Sequence, residues 1–291
     1  MPLCKPNTAE LMTERPAPAS TSQPEEYVLG WELEELDRLA HQHQIWRRLS
    51  DAVFAELPVG RGWKVLDAGC GPGWVLQDLQ AYVGDEGELW GVDLVPEMLQ
   101  ATEARGRAGN WNNLHLLQGD LAEVALPKAH FDFIWCRWVL SFLPDPGAVL
   151  QRLRACLKPG GVLAIQDYNH EGIGLFPESA AFQTMVKALR KRVKDSGGDL
   201  WIGARLGALL PQAGLQVHRY RSHVYSGSPG DPVWQWGQNF FLPWAKKMLL
   251  QGYVNPQEYQ AFLEDWQQRR QQPGARFFSP IVITALGRKD A

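Results

Sequence analysis

Leu33, Leu36, Leu39, Trp46, Leu49 and Val53 recur at helical spacing, with Glu34, Glu35, Arg47 and Arg48 between them. That period predicts an amphipathic helical region ending before Pro58. The rhythm then changes. Short apolar runs at 64–66, 88–92, 114–117, 131–136 and 162–166 are each followed by turn residues and a stretch of helical spacing. Repeats of this kind predict βα units and a parallel sheet, whose strands are buried on both faces and therefore read as continuous apolar runs. Beyond residue 167 the pattern predicts helices over 182–193 and 204–210, then strands over 215–221 and 277–286. About 50 residues separate those two strands, far more than the ~2–5 of a plain hairpin. This insert carries Trp234, Trp236, Trp244 and Trp266 and is expected to form a lid.

Residues 1–24 are rich in Pro, Ser and Thr without any period, as in a disordered tail. The expected organisation is therefore a tail (1–24), an N-terminal helical cover (25–60), a sheet core (61–168) and a C-terminal part with helices, final strands and lid (169–291). The expected fold is α/β, a doubly wound and mostly parallel seven-stranded sheet with its last strand antiparallel.

Composition narrows the function classes. The chain has 291 residues, is 45% hydrophobic and 21% charged, and carries a formal net charge of −3. That is globular composition without the basic field of a nucleic-acid or anionic-lipid binder. Four cysteines without CxxC or CxxC…HxxxH spacing argue against a disulfide framework and a structural metal site. No apolar run reaches the ~18 residues of a membrane span, and the N-terminal stretch lacks a signal-like apolar region. A cytoplasmic protein is expected.

The strongest chemical signal is Val65-Leu66-Asp67-Ala68-Gly69-Cys70-Gly71-Pro72-Gly73. An apolar strand ends in an acid, glycines allow a tight turn and close ligand approach, and a helix start offers free N–H groups. A dinucleotide site wants a third small residue for close helix–strand packing, and Trp74 is a poor replacement. S-adenosylmethionine (SAM) has no pyrophosphate, and Asp67 suits its ammonium. Asp93 ends a second strand, where a carboxylate accepts from ribose hydroxyls. Asp120 follows a third and is placed to accept from an adenine amino group. Each acid also reads as a helix cap or turn residue. Three at successive strand ends point to one edge, where open α/β sheets bind ligands.

Taken together, VLDAGCGPG, WGVDLVPEML, QGD with Leu121, FDFIWCRWVLSFLPDP and LKPGGVLAIQDY resemble the class I SAM-dependent methyltransferases, specifically the small-molecule group that includes quinone-biosynthesis and natural-product enzymes. The likeness covers roughly 60–168. It implies SAM as cofactor, with Gly69 and Gly71 beside its methionine part, Asp93 on the ribose, and Asp120 and the Leu121 backbone at the adenine. Leu94 or Met98 would pack on the adenine face, and the Cys136 carbonyl would lie near the amino group. Tyr27 is the candidate aromatic that closes over the cofactor. The segment Cys136-Arg137-Trp138-Val139 departs from the Asn/Asp-Pro-Pro-Tyr pattern that holds base nitrogens in relatives, so nucleic acid is not the expected acceptor.

Methyl transfer mainly requires alignment of donor and acceptor, at roughly 3–3.5 Å. A hydroxyl acceptor also needs a base. His170, just past the fifth strand, titrates in a useful range and is the first candidate; His218 and His223 are weaker. Thirteen tryptophans, among them Trp31 and Trp138, suggest aromatic walls for an apolar or ring-containing acceptor. Oxygen is favoured over carbon or nitrogen. Two other readings are an NAD(P)-dependent oxidoreductase and a SAM-binding partner protein without turnover. Cys70 reads as a packing residue, no metal is expected, and the charge run Lys187, Arg190, Lys191, Arg192, Lys194 reads as a solvated face.

Overall fold

The computed structural model describes residues 33–57 and 59–291. Tyr27, Trp31, Cys4 and the tail expected over 1–24 lie outside the described residues. The order of elements is α1 (Leu33–Glu56), β1 (Lys64–Ala68), α2 (Trp74–Val83), β2 (Glu88–Asp93), α3 (Pro96–Ala108), β3 (Leu114–Gln118), β4 (Phe131–Arg137), α4 (Pro146–Cys156), β5 (Leu157–Asn169) and β6 (Gly174–Phe176). There follow α5 (Ala180–Asp195), α6 (Ile202–Gln212), β7 (Gln216–His223), β8 (Ser226–Gly227), α7 (Pro232–Leu250), α8 (Pro256–Arg270), β9 (Arg276–Phe278) and β10 (Ile281–Arg288).

Seven strands form one sheet in the order β3-β2-β1-β4-β5-β10-β7. The first five run parallel, and β10 is antiparallel to both of its neighbours. This is the expected doubly wound, mostly parallel sheet with a reversed last strand. Chain order reverses beside β1, so β1 and β4 are neighbours whose connections leave on opposite sides. Ligands of open α/β sheets bind at such a crevice.

The inner strands are largely apolar because helices cover both faces. On one face Val65, Phe133, Trp135, Val162 and Ala164 pack with Phe54 of α1 and with Val75, Leu76 and Leu79 of α2. On the other, Leu66, Ile134, Cys136, Leu163 and Ile165 pack with α4 and α6. The Lys158–Gly161 stretch belongs to β5 itself rather than to a turn ahead of it. Phe131 pairs with Leu157 and Phe133 with Val162, so the extra residues bulge, and Gly160 takes φ +75° there.

Two expectations for the C-terminal part are corrected. The strand foreseen over 277–286 is two strands, β9 and β10, separated at Ser279-Pro280. β9 joins a small antiparallel sheet, β6-β9-β8, that the apolar pattern did not reveal, because strands of two or three residues have no readable period. The charge run on α5 is also only partly solvated. Arg192 is buried, donates to Gln251 and lies over the Trp244 ring, and Arg190 donates to the ring and carbonyl of His170.

The insert between β7 and β10 holds α7 and α8, and it packs with α5 and the small sheet around Phe182, Trp234, Phe241, Phe262, Trp266 and Phe277. Ring pairs around Trp266 are all tilted, with centroids 5.2–6.5 Å apart, within the separation aromatic pairs favour. The capping box of Asn255 and Glu258 sets the start of α8. Helix α1 joins this unit to the core. Its Gln42 accepts from the Trp236 indole of α7 at 3.0 Å, while Phe54 meets Phe133 and Trp135 under the sheet.

Trp266→Ala removes a nearly fully buried ring from the centre of the insert. The expected loss is about 3–5 kcal/mol of unfolding free energy, read by urea titration.

Candidate active site

Three strand ends and one turn build the site. β1 ends at Ala68, and Gly69 and Cys70 both donate backbone N–H to the Val92 carbonyl of β2, at 2.8 and 2.9 Å. The chain therefore stays hydrogen-bonded to β2 as it turns. Gly69, Gly71 and Gly73 all take positive φ (+81°, +52°, +80°), which L side chains reach only at a cost. A Cβ on Gly69 would collide with Val139 Cγ2, and one on Gly73 would lie 2.7 Å from Thr102 Cγ2. Gly71 is different: among the described residues nothing lies within 4 Å of where its Cβ would be. Two glycines serve packing, and the middle one faces open space.

Asp93, the last residue of β2, holds the turn. Its Oδ2 accepts from Gly71 N–H at 2.7 Å and its Oδ1 from Val95 N–H at 3.0 Å. Burial raises its pKa, against the backbone donors that lower it. Asp120, two residues past β3, is exposed and its Oδ1 accepts from Ala122 N–H at 2.8 Å. The turn role open to this acid is thus present, in an exposed side chain. Gly119 N–H donates to the Asp93 carbonyl, so the ends of β2 and β3 are tied together as well.

Asp67 is only 2% exposed and has no hydrogen-bond or ion-pair partner among the described residues. Burial pushes its carboxyl up to about 8, with Arg137 opposing that and Asp93 adding to it. A lone buried carboxylate is costly, so a cationic group placed beside it is favoured. This carboxyl, without a partner among the described residues, together with the open face of Gly71 and the exposed Asp120, fits an adenosyl ligand that carries an ammonium.

The other expected residues divide. Leu94 is 44% exposed and free to meet a ligand, whereas Met98 is 1% exposed and belongs to the packing under α3. Leu121 is buried against the α4 side, and its carbonyl accepts from Arg152. Cys136 is fully buried on the face away from Asp67. Cys70, Cys136 and Cys156 are free and buried, with the Cys70 and Cys136 thiols pushed well up by burial.

His170 is corrected as a candidate base. The ring is 4% exposed, its Nδ1 accepts from Arg190 Nε at 3.2 Å, and burial with Arg190 lowers its pKa to about 3. It is a neutral, engaged ring, poor at taking a proton. His218 and His223 sit on the edge strand β7. Among the described residues no group of His, Cys, Asp and Glu could hold a metal, and no helix is long and apolar enough to cross a membrane. A hollow of about 470 Å³ opens between α3 and β3, lined by Pro96, Leu99, Leu114 and Leu116 among others. It lies on the outer flank of the sheet, and none of the three acids lines it.

A set of charged groups escaped the reading of the sequence. Arg137, the last residue of β4, donates to Ser50 Oγ and to His43 Nδ1, both on α1 and both at 3.1 Å. His43 Nε2 lies 3.1 Å from Asp78 Oδ2 on α2, and Asp78 Oδ1 lies 2.9 Å from Arg47. The one available signal was an arginine ending a strand that is apolar from Phe133 to Cys136. Beside it Trp138, with φ +55°, stacks on Tyr168 at 5.8 Å and meets Trp46 edge-on. These rings form an aromatic wall where β4 and β5 end.

Residues 66–165 match the family model described as a methyltransferase domain. The chain is 38% identical over 125 residues to a malonyl-[acyl-carrier protein] O-methyltransferase of Enterobacter lignolyticus, covering 42% of this chain and 46% of that one. It is 33% identical over 135 residues to a demethylmenaquinone methyltransferase of Bacillus pumilus, covering 46% and 56%. It thus spans about half the length of each. A phosphoethanolamine N-methyltransferase 2 of Haemonchus contortus, solved with S-adenosylhomocysteine, shares the fold at a TM-score of 0.53 and 17% identity over 84% of this chain and 53% of that one.

The raised Asp67 carboxyl has a measurable sign. Between about 3.8 and about 8 the folded chain keeps a proton that the unfolded chain has released, so Asp67 makes stability fall as pH rises through that window. Asp67→Asn is expected to remove that decline, by up to about 1.4 kcal/mol per pH unit. Denaturant titrations of the ligand-free protein at pH 5 and 8 check it.

Proposed function

We propose that this chain, whose residues 66–165 match a methyltransferase domain, is a class I SAM-dependent methyltransferase that transfers the methyl group of SAM to a small, apolar or aromatic acceptor, with oxygen as the methylated atom. The observation that carries the reading is the Asp67 carboxyl beside the glycine turn, without a partner among the described residues and in line with Asp93 and Asp120 at successive strand ends.

SAM supplies an electrophilic methyl on a sulfonium. Asp93, already fixed by Gly71 and Val95, keeps free lone pairs for the ribose hydroxyls. Asp67 takes the ammonium, Asp120 and the Leu121 backbone take the adenine, and Leu94 covers its face. Gly69 and Gly71 border the methionine part, with the Cys136 carbonyl nearby. The Trp138–Tyr168 wall excludes water and suits a flat acceptor. Because His170 is neutral and held by Arg190, the acceptor that fits best arrives already ionised, as a carboxylate or an acidic phenol or enol. The name of the Enterobacter relative, an O-methyltransferase, supports oxygen. Three free cysteines support a reducing compartment, and cytoplasmic placement goes with this reading.

Titration calorimetry with SAM and with NAD tests the cofactor. SAM is expected to bind and NAD not; the reverse overturns the reading. Asp93→Asn is expected to weaken SAM binding roughly 10- to 100-fold through lost charged hydrogen bonds. Because the ammonium displaces the proton that Asp67 holds below about 8, binding at pH 7 is expected to release a proton. Heats measured in two buffers of different ionisation enthalpy read this directly.

A further inference from the structure

We propose that Arg137 binds the α-carboxylate of the cofactor's methionine part, so that Arg137 and Asp67 together receive a zwitterion, and that α1 holds Arg137 in place for this. The inference rests on the cofactor reading above.

Asp67 and Trp135 are paired across β1 and β4, so their side chains leave the same face of the sheet. Arg137, two residues on from Trp135, leaves that face too, one step nearer the open edge. Each of the two charges feels the other. Yet no ion pair within 4 Å joins them among the described residues.

What separates them is α1. Ser50 and His43 draw the guanidinium toward the helix, and both are neutral acceptors. Arginine is always a donor, so His43 Nδ1 must carry a lone pair, and its Nε2–H then faces Asp78. Burial lowers the His43 pKa, which keeps the ring in that neutral form. Trp74, the first residue of α2, stacks on the other side of the imidazole at 6.0 Å.

Arg137 is therefore a half-buried cation with no ion-pair partner among the described residues: two of its five N–H groups donate to Ser50 and His43, and its guanidinium lies over the Trp138 ring. Asp67 is a buried carboxyl with no ion-pair partner among the described residues, holding its proton below about 8 until a cation is placed beside it. An acid and a guanidinium held apart on neighbouring strands, neither in an ion pair among the described residues, complement the ammonium and carboxylate of an α-amino acid. Closing them on each other would remove the site. The Ser50, His43 and Asp78 contacts prevent that.

Three ligands separate the parts. S-adenosylhomocysteine carries both charges, its decarboxylated analogue only the ammonium, and 5′-deoxy-5′-methylthioadenosine neither. Calorimetric titration of the full chain is expected to show S-adenosylhomocysteine binding roughly 30-fold or more tighter than the decarboxylated analogue, as expected for a charge-assisted pair. In Arg137→Gln that ratio is expected to fall to about threefold or less, with methylthioadenosine affinity unchanged. Arg137→Lys restores part of it, and His43→Ala gives an intermediate ratio with the same methylthioadenosine affinity. A ratio retained in Arg137→Gln, or absent from the parent protein, overturns the assignment. Should Arg137→Gln fail to fold, the parent ratio and Arg137→Lys still decide it. Failure of the parent protein to bind any of the three ligands overturns the cofactor reading, and this assignment with it.

Discussion

The pairing of β1 with β4 is the constraint on which the rest depends. It places two ionisable groups, the buried Asp67 and the half-buried Arg137, at the same edge of a largely apolar sheet. Isolated charges in such surroundings cost several kcal/mol each, and the chain answers with α1. His43, Ser50 and Arg47, spaced along that helix, reach Arg137 and Asp78. The helix is consequently more than a cover over the sheet. Its outer half meets α7 through Gln42 and Trp236, and its inner half completes the polar floor beside the glycine turn.

The fold was largely legible in the sequence because its signals are local. Five apolar runs, a glycine turn and an acid at each of three strand ends all lie within about a hundred residues, and each strand is long enough to show a pattern. Asp93 is the clearest case. A strand-end acid ahead of Pro96 reads as important whether it caps a helix or holds a ligand, and here it fixes Gly71 and Val95 through its two oxygens.

What could not be read depends on burial or on long-range contact. His170 has a useful titration range in isolation, but only the packed structure shows Arg190 seated on it. Arg137 owes its setting to His43 and Ser50, about ninety residues earlier in the chain, and no local period encodes such a contact. The choice between Leu94 and Met98 was likewise open until burial separated them. The small sheet β6-β9-β8 is too short for any pattern. Tyr27 lies outside the described residues.

The way the insert is hung on the sheet has a consequence for how such a scaffold diversifies. Val282, at the start of β10, pairs with His223, at the end of β7, so the intervening chain departs and returns at a single rung of the ladder. Replacing that excursion leaves the sheet register intact, and doubling its length adds only about 0.6 kcal/mol of closure entropy. The excursion that carries α7 and α8 is thereby free to be rebuilt, while the glycine turn and the three strand-end acids stay fixed.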